Sequence, residues 1–261
     1  MLDIRDLTVR YNSMGRVTAA VNGISLSIEK GSFTGIVGES GSGKSTLMAA
    51  LLGLLPQRTE ITGEILYKGT DILRMSDSEM RDLRWKEISL VPQGAQNSFT
   101  PVMKIKRHIE EVLNVHSGKF GEDAEKEAAR LLEDVGLDAG IKERYPHELS
   151  GGQKQRAAIA LALACSPALL LADEPTTALD VIIQAEILEL LSGLRKSKDL
   201  SIILVTHDLP LAAMVCDRLV VMKDGRMAES GTPHQLVNDP QHPHTKDLIR
   251  EMFWQRNKKD G

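Results

Sequence analysis

The sequence predicts an α/β fold: a mostly parallel sheet flanked by helices, with antiparallel strands before it and a helical block inserted into it. Three observations carry that prediction. First, Gly38-Glu39-Ser40-Gly41-Ser42-Gly43-Lys44-Ser45, followed by Thr46, matches G-x-x-x-x-G-K-[ST], the phosphate-cradling P-loop. It lies between the strand-like run of Phe33, Ile36 and Val37 and the helix-forming Leu47 to Leu52, the strand–loop–helix context that motif needs. Second, the short apolar runs Ala168 to Ala172, Ile202 to Val205 and Leu219 to Met222 lack alternation, as parallel strands covered on both faces do. Third, the character from Gly94 to about Cys165 is helical, and this block interrupts the strands.

Taken in order, Leu2, Ile4, Leu7 and Val9 space out a first strand that Tyr11 closes, and Asn12 to Arg16 turns the chain back. Ile24, Leu26 and Ile28 alternate in a second strand, and Lys30-Gly31 turns into the strand before the P-loop. Further strands are expected near Gly63 to Tyr67 and at Ile88 to Val91. Residues Glu122 to Val135 place Ala128, Leu131, Leu132 and Val135 on one side and charges on the other, an amphipathic helix that Gly136 ends. Ser150 stands where an N-cap should, ahead of a helix from Gly151 to Ala164. Helices over Val181 to Arg195 and Leu209 to Val215 separate the later strands. These elements define a P-loop NTPase core with an N-terminal antiparallel β subdomain and an inserted α-helical subdomain. The expected division is one domain over 1–261: core and antiparallel strands at 1–93 and 166–230, helical subdomain at 94–165, tail at 231–261.

The 261 residues suffice for a sizeable core. A net charge of -4 argues against nucleic acid, whose binders carry a basic excess. Cys165 and Cys216 sit in apolar surroundings without metal-ligand spacing, which reads as a reduced, cytosolic chain. Asp3, Arg5 and Asp6 interrupt any N-terminal signal, and the longest apolar run, Ala157 to Cys165, has nine residues. A spanning helix needs about 20. A soluble chain is expected, with any membrane role exercised through a partner.

The chemistry gathers at strand ends. The P-loop glycines let backbone N–H groups converge on phosphate, and the helix N-terminus adds partial positive charge. Lys44 supplies a full charge and Ser45 a hydroxyl for magnesium. Leu169 to Ala172 leads into Asp173-Glu174, two carboxylates where α/β sheets place their ligand chemistry. Asp173 suits a magnesium ion reached through water, and Glu174 suits the polarising of an attacking water. His207 follows the strand Ile202 to Thr206, where an imidazole can bond a γ-phosphate oxygen. Gln93, after Val91-Pro92, can bind a magnesium-bound or attacking water. Read alone, each of the last three could be an ordinary surface or structural residue.

Leu149-Ser150-Gly151-Gly152-Gln153 then completes a set. With the P-loop, Gln93, Asp173-Glu174, Ala178-Leu179-Asp180 and His207, the chain resembles the nucleotide-binding subunit of an ABC transporter over nearly its whole length. The resemblance implies ATP and Mg2+ as ligands. It implies that Tyr11 stacks on adenine, that Gly38 to Thr46 hold the phosphates, and that Gln93 touches both magnesium and the transmembrane partner. Two such subunits pair head to tail, so Leu149 to Gln153 of one would close over the nucleotide on the P-loop of the other, with Asp180 at the dimer interface. Helix N-terminal N–H groups behind Ser150 give that closure a physical basis.

Gln93 to Met103, Thr177 to Val181 with Gln184-Ala185, and Gly231-Thr232-Pro233 with Asn238 to Thr245 resemble oligopeptide, dipeptide and nickel importers. Phe99 stands where Leu is common and His244 where Tyr is common. Many peptide-importer subunits continue into a cysteine-rich tail, and a chain that stops at Gly261 points to the shorter, nickel- or metallophore-type subunit. His242 and His244 flank a proline and could bind metal, although a turn motif packing the tail is the plainer expectation. The implied partners are a second ATPase subunit, a related chain in preference to a second copy of this one, two transmembrane permease subunits and, indirectly, an extracellular solute-binding protein; the chain itself is expected at the cytoplasmic face of the membrane. The competing class is a soluble ABC ATPase of translation or DNA repair. Those proteins usually carry two cassettes or a long coiled-coil insert.

Overall fold

The computed structural model describes residues 1–13, 16–95 and 98–250. Met14 and Gly15 of the expected first turn, Gln96 and Asn97 of the segment after Gln93, and tail residues 251–261 lie outside the described residues. In chain order the elements are β1 (Leu2–Ser13), β2 (Arg16–Ile28), β3 (Phe33–Val37), α1 (Lys44–Leu51), β4 (Glu60–Tyr67), β5 (Thr70–Asp71), α2 (Asp77–Leu83), β6 (Ile88–Val91) and α3 (Ile105–Val112). After these come α4 (Gly121–Asp134), α5 (Gly151–Ala162), β7 (Leu169–Asp173), α6 (Val181–Lys198), β8 (Ser201–Thr206), α7 (Leu209–Val215), β9 (Arg218–Lys223), β10 (Arg226–Gly231) and α8 (Pro233–Asn238). They fall into two units, Met1–Ser76 with Ile203–Gly261, and Asp77–Ile202.

In the first unit β1 pairs antiparallel with both β2 and β4. Leu2, Ile4, Leu7 and Val9 are all buried, although Ile4 and Leu7 are three apart and strict alternation would put them on opposite faces. A register shift between them resets the phase, with Asp6 at φ +45°. Opposite it stands Gly63 (φ +94°), where a Cβ would lie 2.5 Å from the Asp6 carbonyl oxygen. Tyr11 does not close the strand: β1 runs on to Ser13, and Tyr11 pairs with Thr18 inside a longer hairpin arm.

The other sheet strands of this unit run in the order β10-β9-β3-β8. All five residues of β3 and all six of β8 are buried. Parallel pairing of β3 with β9 sets Ile36 opposite Val220. At Gly35 a Cβ would lie 2.6 Å from Leu219 and 3.0 Å from the Cys216 sulfur, so the missing side chain admits that packing. Strand β10, unread in the sequence, adds antiparallel to β9.

In the second unit β6 and β7 pair parallel, Ile88 with Leu169 through Val91 with Ala172. Helix α4 buries Ala124, Ala128, Leu131 and Leu132 and ends at Gly136 (φ +73°). Helix α5 packs on α3, α4, α6 and β6. Arg156 on α5 donates to the Val135 carbonyl at 2.9 Å and to Glu186 on α6 at 3.0 Å, pinning three helices together.

Candidate functional site

In the first unit the buried strand β3 delivers the chain to Gly38, and α1 begins at Lys44. The loop between is held tightly. A Cβ on Gly38 would sit 2.4 Å from the Met222 carbonyl oxygen, and one on Gly43 (φ +101°) 2.2 Å from that of Ala20. No side chain caps α1 and no acidic residue stands in its first turn, so its positive end is unneutralised from within the helix. Lys44 is buried, and its ammonium donates to the carbonyls of Gly38 (2.6 Å) and Glu39 (2.8 Å) and to Ser42 Oγ (3.3 Å). The loop therefore wraps one cation. Ser40, Gly41 and Ser45 are exposed around it, with Thr46 half-buried. The Tyr11 and Thr46 hydroxyls are 3.4 Å apart, which sets the tyrosine beside the first turn of α1. His207 is exposed directly after β8, and Asp208 behind it caps α7 by accepting from Leu211 N at 2.9 Å.

In the second unit the parallel register of β6 and β7 brings Gln93 and Asp173-Glu174 out at the same end. Gln93 Nε2 donates to Glu174 Oε2 at 3.1 Å, and Thr177 Oγ1 donates to the same oxygen at 2.9 Å. Glu174 takes φ +44°, a conformation residues other than glycine seldom adopt. Thr177 stood out in the sequence only as the start of an importer-like stretch, not as a partner of Glu174. Its spacing three residues after the carboxylate is the only signal there, and it is weak.

Ser150 caps α5 as expected. Its Oγ accepts from Gln153 N at 3.2 Å, and Gln153 Oε1 accepts from Ser150 N at 3.0 Å, a complete capping box. Because that hydroxyl accepts from within the helix, its proton can point outward to an anion. Leu149 is buried beneath, Ser150 is exposed, and Gly151 and Gly152 are half-buried. A Cβ on Gly152 would lie 3.0 Å from Ile183, so the N-termini of α5 and α6 are neighbours. Asp180 caps α6 by accepting from Ile183 N at 3.0 Å, and beside it Val181 and Ile182 are 63% and 72% exposed.

Among the described residues no helix is long and apolar enough to cross a membrane, and no group of three His, Cys, Asp or Glu could hold a metal ion. His242 and His244 make no such cluster.

A tight glycine loop after a buried parallel strand, with a capped glycine helix end and a paired strand-end carboxylate elsewhere in the chain, is the set of parts an ATP-binding cassette needs. Residues 21–177 match the family described as ABC transporter. The chain is 44% identical over 256 residues to the oligopeptide transport ATP-binding protein OppD of Bacillus subtilis, covering 97% of this chain and 72% of the relative. It is also 44% identical to the dipeptide transport ATP-binding protein DppD of the same organism, over 95% of this chain and 76% of that one. Among solved structures, a dimeric ATP-binding cassette in a post-hydrolysis state with ADP and Pi aligns with TM-score 0.79 and 31% identity, covering 89% of this chain and 99% of that one. The chain belongs to the ABC transporter family. It is an ATPase of the ATP-binding cassette class.

Proposed function

We propose that this chain is the ATP-binding and ATP-hydrolysing subunit of an importer, one half of a clamp whose closure drives transport. The observation that carries the reading is the exposed, capped end of α5 beside the bare apolar pair Val181 and Ile182. An anion-binding helix end next to exposed apolar surface suits the closing face of a second subunit.

On this reading Gly38, Ser40, Gly41, Ser42, Gly43, Lys44, Ser45 and Thr46 hold the phosphates, and Tyr11 stacks on adenine. Lys44 exchanges the Gly38 and Glu39 carbonyls for phosphate oxygens, trading dipoles for full opposite charges. Ser45 hydroxyl, Gln93 carbonyl and Asp173 carboxylate are hard oxygen donors, the set that suits Mg2+. Bound magnesium would neutralise charge on the β- and γ-phosphates. Glu174, oriented by Gln93 and Thr177, accepts the proton of the attacking water. His207 donates to a γ-phosphate oxygen. Leu149 to Gln153 close on the nucleotide of the opposite subunit, with Asp180 at the seam.

The names of the relatives support peptides over nickel chelates as cargo. On this reading the cargo passes through two transmembrane permease subunits, and this chain docks on their cytoplasmic face. The partner ATPase is a related second chain. The division into core, helical subdomain 94–165 and tail 231–261 belongs to the same proposal. The test is reconstitution of the co-purified complex in vesicles. ATP-driven uptake of a labelled oligopeptide, abolished by Lys44→Ala, supports it; uptake unaffected by that substitution refutes it.

A further inference from the structure

The segment after α8 folds back onto the first unit. Glu229 on β10 accepts from the amides of Gln241 (2.8 Å) and His242 (3.0 Å). Burial pushes the Glu229 carboxyl up, but these backbone bonds and the neighbouring Thr245 and His242 side chains together hold it below its ordinary value. His242 Nδ1 then accepts from the His244 amide at 3.1 Å, at the start of a helical run over 243–250. This docking buries His244 to 3% exposure. Its Nε2 has no partner among the described residues, and its Nδ1 lies 3.8 Å from Glu39 Oε1.

Glu39 belongs to the phosphate loop, and its carbonyl accepts from Lys44 Nζ at 2.8 Å. One residue therefore lies against both the tail and the lysine. A polar ring buried with a nitrogen unpaired is unfavourable for packing alone, and its other nitrogen faces a carboxylate whose side chain is 65% exposed. We propose that His244 is a positioning residue for nucleotide binding: through Glu39 the folded tail fixes the loop carbonyl that Lys44 leaves when phosphate arrives. The inference rests on the loop being the ATP site, and it makes tail docking a determinant of ATP affinity.

The test measures ATP affinity, steady-state hydrolysis and melting temperature for the full chain, Glu39→Gln, His244→Phe, the double variant and Lys44→Ala. Coupling energies between connected residues predict that each single variant weakens ATP binding about three- to tenfold. KM should rise while kcat holds, and the double variant should be no worse than either single. The melting temperature of Glu39→Gln should stay at the wild-type value, since that carboxylate is exposed. Wild-type affinity in Glu39→Gln overturns the proposal, even if His244→Phe fails to fold; so do independent, multiplying effects in the double variant. A wild-type chain that binds ATP no better than Lys44→Ala would instead overturn the reading of the loop, and this inference with it.

Discussion

The side-chain amide of Gln93 and the hydroxyl of Thr177 converge on one oxygen of Glu174, at 3.1 and 2.9 Å. Two donors on one oxygen fix the rotation of the carboxylate. They also help sustain a left-handed backbone at Glu174 that costs about 1–2 kcal/mol for a non-glycine residue. The side chain is thus held in place rather than waiting on a substrate to order it.

Removing one of those donors should loosen the Glu174 carboxylate without touching the Gly38 to Thr46 loop. Thr177→Val is expected to lower kcat about tenfold, in line with a hydrogen bond to a charged group worth about 1.5 kcal/mol, and to leave KM for ATP near wild type. Phosphate release at varied ATP measures both.

The loop itself should be intolerant of a methyl group. Gly43→Ala would place a Cβ 2.2 Å from the Ala20 carbonyl oxygen at φ +101°. Strain of about 2 kcal/mol or more should lower the melting temperature by at least about 4 °C in a chain of this size. ATP affinity should fall as well. Gly41→Ala also strains a positive φ, +83°, but nothing lies within 4 Å of its Cβ, and it should cost less.

His108 gives the second unit a pH dependence. Its Nε2 accepts from Thr100 N at 2.9 Å while Nδ1 lies 3.1 Å from the Lys104 carbonyl, an arrangement that needs the neutral ring. Burial lowers its pKa from the ordinary histidine value. The unfolded chain therefore binds the proton first, so this contribution is complete above about pH 6.5 and lost as pH falls from there through the folded value. Carboxylates act later. Hydrogen bonds from Lys106 and Lys104 hold Glu143 at about 2, so what its exposed ion pairs contribute is lost as pH falls from the ordinary carboxylate value of 4.5 to about 2. Between pH 6.5 and 5 the urea midpoint of wild type should drop, and that of His108→Gln should drop less.

Ser150 should separate binding from closure. Ser150→Ala removes an N-cap worth about 1 kcal/mol of stability, leaves ATP affinity of the isolated chain unchanged, and lowers hydrolysis in the assembled complex. Calorimetry on the chain and phosphate release from the complex distinguish these effects.

Much of this was legible because it is local. The P-loop, the apolar strand ending in Asp173-Glu174 and the capping box at Ser150 are each written in neighbouring residues, and their elements form where the pattern places them. What escaped was set by partners distant in sequence. Strand β10 carries Arg226, Glu229 and Ser230 and shows no apolar period, because it is stabilised by pairing with β9. The length of the first hairpin was missed at Tyr11 because its outer arm pairs Asn12 with Val17, where Val17 is exposed and burial marks nothing. The bulge at Asp6 hides in a spacing of three between Ile4 and Leu7. Thr177 and the contact of His244 with Glu39 depend on how the chain returns on itself, which no short window contains.

The central claim is that Glu174 drives hydrolysis on an ATP it does not itself bind. The direct measurement is ATP affinity and phosphate release for Glu174→Gln beside wild type. Unchanged affinity with turnover reduced at least about 100-fold, the scale of a lost general base, is the predicted result. Turnover at the wild-type rate would contradict it.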